Sequence, residues 1–207
     1  MKTKLFRTER IVAAAMLLAL ASTAFAQETG GAGRGLNGQS YFSVVYLYSN
    51  LRDGPPDYYQ GIGFRYNQAL QQKLDLILTG GLTQSQRVSG ARGKQRDFAA
   101  GLRWHTDLGQ MRPFAEATLG GAWFSYGSYK NNSWSYAGAV GAEFQATPEL
   151  SFAPLIGYSD APDFSGAGGG FGVLRTNYWV NRNWSVRVNL SFDDDGWGLG
   201  AGFAYGS

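Results

Sequence analysis

The chain has 207 residues with 18 Lys plus Arg against 15 Asp plus Glu, but four of the bases and one of the acids lie in the first 26 residues, leaving 14 of each beyond Ala26. A near-neutral body lacks the basic surface that phosphate-backbone recognition depends on, which excludes nucleic acid as a partner, and zero cysteines exclude disulfides, thiolate metal sites and cysteine nucleophiles. No segment of that body has the roughly 20 consecutive apolar residues of a membrane-spanning helix, so its 30 Gly, 6 Trp, 12 Tyr and 13 Phe need another setting.

The first residues read as a secretory leader. Lys2, Lys4, Arg7 and Arg10 form a basic start, Ile11 to Leu20 an apolar run, and Ala24-Phe25-Ala26 a small-residue cleavage site, so cleavage is expected near Ala26 with the mature chain starting near Gln27. About 180 residues remain, the size of one domain. Within residues 27–38, Glu28 to Gly38 is Gly-rich and aperiodic and reads as a flexible lead-in.

From residue 39 to 207 the dominant signal is strict alternation, the period of a strand with two unlike faces. Ten strands are predicted, at 39–49, 58–67, 73–84, 96–106, 111–126, 134–146, 149–158, 171–181, 183–193 and 196–205. Most have about 9 residues or more, enough to cross a hydrocarbon layer at the usual tilt. The connections alternate in length: Gln68–Gln72, Asp107–Gln110, Thr147–Pro148 and Arg182 are short, whereas Leu51–Asp57, Ser85–Gln95, Gly127–Ser133 and Ser159–Gly170 are longer and Asp194-Asp195 is a tight turn. Short periplasmic turns, longer outer loops and an even strand number are the habit of transmembrane barrels. Both chain ends then lie on the periplasmic side.

A soluble β-sandwich also alternates, and the identity of the apolar face separates the two. Tyr48, Tyr66, Trp104, Trp123, Trp134, Phe144, Tyr158, Tyr178, Trp184, Phe192, Trp197 and Tyr205 stand near strand ends on that face, with Leu76, Leu78, Leu119, Val140, Val188 and Ala201 between them. Two aromatic girdles around an aliphatic band are what membrane interfaces select. The expected fold class is therefore all-β, a transmembrane antiparallel up-and-down β-barrel, with ten strands and eight as the alternative.

In this architecture the chain resembles the small outer-membrane β-barrels of Gram-negative bacteria, the porin-like class that includes the OmpA transmembrane domain and OmpX. Gly200-Ala201-Gly202-Phe203-Ala204-Tyr205 is similar to that class's C-terminal assembly signal, with Gly206-Ser207 trailing where the signal usually ends on its aromatic. The resemblance implies an outer-membrane location, lipid partners including lipopolysaccharide, and recognition of the C-terminal strand by the assembly machinery; the sequence leaves the oligomeric state open, with a monomer favoured.

Strand parity places Arg65, Asp75, Asp97, Arg103, Glu116, Glu143, Arg175 and Arg187 on the inward face, four bases and four acids that can pair and fill a narrow lumen. His105, the only histidine, follows Trp104 at the periplasmic end of the fourth strand, where a lumen-rim hydrogen bond suits it better than catalysis. Hydrolases of the outer membrane, resembling omptins or lipid A deacylases, place their sites toward the outside. Asp193-Asp194-Asp195 before Gly196 lacks the spacing of a calcium loop and reads as turn chemistry. Arg87, Arg92, Lys94 and Arg96, in the second outer loop, are candidate contacts for lipid phosphates. The Gly run Gly168-Gly169-Gly170 matches neither nucleotide-binding fingerprint, and neither G-x-S-x-G nor H-E-x-x-H occurs, so no cofactor, metal or catalytic residue is expected. The functional expectation is a non-enzymatic barrel serving envelope structure or surface interaction with its lumen plugged by ion pairs; a narrow porin-like channel is the alternative, and an outer-membrane hydrolase stands third.

Overall fold

A computed structural model describes residues 40–51, 56–109, 111–163, 168–181, 183–194 and 196–206; the predicted leader, the lead-in at 27–38, Gln110, Arg182 and Asp195 lie outside the described residues. Ten strands follow one another: β1 (Tyr41–Leu51), β2 (Tyr58–Gln71), β3 (Leu74–Val88), β4 (Ala91–His105), β5 (Met111–Tyr126), β6 (Tyr129–Gln145), β7 (Leu150–Asp160), β8 (Gly169–Trp179), β9 (Trp184–Asp193) and β10 (Gly196–Gly206). Each pairs antiparallel with its neighbour in sequence, and β1 pairs with β10 from Tyr41↔Gly206 to Leu51↔Gly196, closing the barrel. Around the closed ring each strand has a neighbour on both sides, and the exception in extent is the top of β6, where Tyr129 to Ser135 run past β7.

Side chains sort by parity as the alternation requires. Trp104, Trp123, Trp134, Tyr158, Tyr178, Trp184, Phe192, Trp197 and Tyr205 all point outward, and the band between them holds exposed Leu119, Val140 and Val188. The rings gather at two levels. At the end bearing the β1–β2 connection Tyr48 stacks on Tyr58 at 5.7 Å and meets Trp197 at 6.0 Å; at the end bearing the chain termini Phe144 stacks on Phe152 at 5.6 Å and Trp184 meets Tyr205 edge-on at 5.1 Å. Large apolar side chains facing outward are the reverse of a water-soluble core.

Three predicted connections need correction, the first being Gln68–Gln72, where β2 runs on to Gln71 and β3 starts at Leu74. Ser85–Gln95 is not a loop: β3 continues to Val88 and β4 starts at Ala91, leaving a two-residue turn in which Ser89 and Gly90 both have positive φ, 51° and 85°, the geometry that matches hairpin twist. Gly127–Ser133 likewise shrinks to a tight turn, with Gly127 at φ 60° and β6 already under way at Tyr129. Both hairpins rise past their neighbours. The last β6–β7 pair is Tyr136↔Asp160, so Tyr129 to Ser135, about 23 Å of strand at ~3.3 Å per residue, project above β7. The wall is tall over β3–β6 and low over β7–β10.

The interior is also less uniformly polar than parity alone suggested. Phe114, Ala139, Ala153, Leu155, Phe171 and Val173 form one buried apolar cluster and Val45 with Leu47 a second, alongside inward Tyr41, Tyr59, Ile77 and Trp179. Narrowness explains them. Where opposite walls meet, side chains pack on one another and water has no room.

Candidate functional site

All eight predicted lumen charges are buried, from 0% exposure at Arg65, Asp75 and Arg103 to 9% at Asp97. Their pairing differs from one base to one acid. Glu116 alone gathers three guanidiniums: Arg65 Nη2 donates to Oε2 at 3.3 Å, Arg103 Nε to the same oxygen at 3.2 Å, and Arg175 Nη2 to Oε1 at 3.3 Å. Arg103 is the cross-strand partner of Glu116 in the β4–β5 ladder. Arg65 and Arg175 are not neighbours at all. Their strands, β2 and β8, each stand three places from β5 around the ring, on opposite sides, so their side chains reach Glu116 only by crossing the lumen.

The other charges are held separately. Asp75 lies opposite Arg103 in the β3–β4 ladder, and its Oδ1 is 3.4 Å from His105 Nε2. His105, the last residue of β4, is buried to 1% exposure at that end of the lumen. Arg187 donates through Nε to Asn177 Oδ1 at 3.1 Å and through Nη2 to Ser185 Oγ at 3.5 Å, with its guanidinium 5.4 Å above the Tyr41 ring. Asp97 and Glu143 face inward at other levels of the wall, Glu143 being the register partner of Arg112.

Asp193 behaves as a turn residue, its Oδ1 accepting from the Gly196 N–H at 2.8 Å. Among the described residues no group of three or more His, Cys, Asp or Glu side chains is placed to hold a metal ion. Arg92, Lys94 and Arg96 fall on the outward row of β4 and Arg87 near the end of β3, so these four sit on a strand wall and not in the loop expected for them.

No family model matches the chain, and no curated protein matches it. Solved structures do resemble it, and they are outer-membrane β-barrel proteins. The outer membrane protein OprG from Pseudomonas aeruginosa is 13% identical, with 87% of this chain and 97% of that one covered at a TM-score of 0.44. The translocator domain of autotransporter NalP from Neisseria meningitidis is 8% identical, covering 90% and 92% at 0.48, and Ail, the attachment invasion locus protein of Yersinia pestis, is 17% identical, covering 82% and 100% at 0.39. At such identities and scores the likeness concerns fold alone.

The Glu116 cluster shows what parity could not. Odd and even positions tell which face a residue takes, and the ladder tells its nearest neighbours, but contacts across the lumen depend on how the sheet closes. The His105–Asp75 pair had a sequence signal: both lie at the paired ends of consecutive strands with the same inward parity.

Proposed function

We propose that the chain is a non-enzymatic integral outer-membrane barrel that serves envelope structure or surface interaction through its tall hairpins, with a lumen closed by side chains. The observation that carries this reading is Glu116 drawing arginines from both sides of the ring, each buried to 2% or less. Three guanidiniums and one carboxylate spanning the lumen occupy the path an ion would take, and the shared carboxylate offsets part of the several kcal/mol that each buried ion would cost alone. The apolar outward band between two aromatic levels supports the membrane setting.

A narrow hydrated path is the second reading. It is favoured by Tyr59, Thr79, Thr83, Gln95, Ser151 and Ser159, buried inward residues whose side-chain hydroxyl or amide groups find no hydrogen-bond partner among the described residues and so call for water. Planar-bilayer recording separates the two. A closed lumen passes no steady current, whereas reproducible unitary steps from the unmodified protein would establish the channel.

A further inference from the structure

Along the outward row of β4 three cations, Arg92, Lys94 and Arg96, run directly into the apolar row Phe98, Ala100, Leu102 and Trp104. Arg96 is already level with the band: its register partners are Leu82 on β3, 59% exposed, and Trp123 on β5, 51% exposed. Lys94 stands one row further out between Gln84 and Ser125, and Arg92 faces Arg87 across the hairpin. The salt bridges among the described residues lie elsewhere and give none of these four cations an acidic partner. Facing like charges repel, and a cation beside the hydrocarbon is unfavourable unless its head meets a polar or anionic group at the interface.

Beside this row the outer wall is dented. A Cβ at Gly61 would stand 2.0 Å from the Leu82 carbonyl oxygen, so glycine alone lets β2 and β3 approach as they do there. The dent is a groove of about 440 Å³ with Tyr46, Ile62 and Leu82 as apolar lining and Gln84, Lys94 and Arg96 at its polar edge. It opens to the outside of the barrel.

We propose that this groove binds a phosphorylated acyl lipid of the surrounding outer leaflet, its phosphate on Lys94 and Arg96 and an acyl chain against Tyr46, Ile62 and Leu82. Charge complementarity selects the anion, and the neighbouring apolar lining selects a lipid over a free ion. Arg87 and Arg92 add field from the hairpin above. The inference rests on the membrane reading of the barrel.

The test is native mass spectrometry of the refolded full barrel in detergent, with diphosphoryl lipid A, its dephosphorylated form and inorganic phosphate as probes. The phosphorylated lipid is expected to bind about tenfold or more tightly than the dephosphorylated one, the scale of charge-assisted contacts to phosphate. Lys94→Gln with Arg96→Gln abolishes that preference, and Lys130→Gln on β6 leaves it intact. Ile62→Trp fills the groove and weakens lipid binding with the charges in place. Equal binding of the two lipids, or an unchanged preference in the double variant, overturns the proposal. So does complete displacement of the lipid by equimolar inorganic phosphate, which would leave the chain no role. A separate vesicle-insertion assay with a heat-modifiable gel shift isolates the underlying reading: failure to insert refutes the membrane setting itself.

Discussion

Replacing Glu116 with glutamine tests the lumen cluster at its centre. The variant keeps the side chain's volume and one carbonyl acceptor but removes the carboxylate charge that Arg65, Arg103 and Arg175 share, where donor–acceptor distances are 3.2 to 3.3 Å and the four side chains are 0 to 2% exposed. Breaking one buried pair by removing a partner costs about 3–5 kcal/mol. Three guanidiniums share this partner, so Glu116→Gln is expected to lose at least ~3 kcal/mol unless water enters to solvate them. The internal control is Asp107→Asn: Asp107 meets Arg112 at 3.4 Å with 46% of its side chain exposed, and exposed pairs contribute about 0–1 kcal/mol. Urea titration of the barrel in lipid vesicles, read by tryptophan fluorescence and by the gel shift of folded against unfolded forms, gives both values, with planar-bilayer conductance recorded in parallel. Water entry would appear as new conductance in Glu116→Gln. If the variant is as stable as Asp107→Asn and equally silent, Glu116 does not organise the lumen and the closed-lumen reading fails.

The mature protein should fractionate with outer membranes and migrate differently on mild-detergent gels with and without heating; recovery as a soluble periplasmic protein would refute the location. Val188, 44% exposed, and Arg187, 5% exposed, are adjacent on β9 and face opposite ways, so Val188→Arg should cost about 2–4 kcal/mol of stability in lipid if it lies at the midplane. Arg187→Val, which removes a buried charge along with its bonds to Asn177 and Ser185, should cost less, and equal losses in the urea titration would overturn the face assignment. Gly61→Ala should sharply lower the refolded yield because its Cβ meets the Leu82 carbonyl oxygen, whereas Gly172→Ala, with nothing within 4 Å of its new carbon, should refold as the parent does; similar yields would show that the β2–β3 approach is adjustable.

The period-two pattern by itself determined much of this protein. Ten strands, their order in the chain, the faces taken by Val188 and Arg187 and the burial of all eight charged lumen residues are readable because each depends on one strand and its parity. The extents of β3–β4 and β5–β6 were not readable. Gln84, Ser85 and Gln86, or Lys130 to Ser133, carry polar residues on both faces, so alternation disappears while the backbone stays paired, and only the ladder itself shows that these segments are strands. The partners in the lumen were decided later still. Neighbouring strands bring Arg103 to Glu116 and Asp75 to Arg103, but Arg65 and Arg175 arrive from strands far from β5 in sequence. Their meeting depends on the number of strands that close the ring and on their stagger, quantities that belong to the closed sheet and to no single strand.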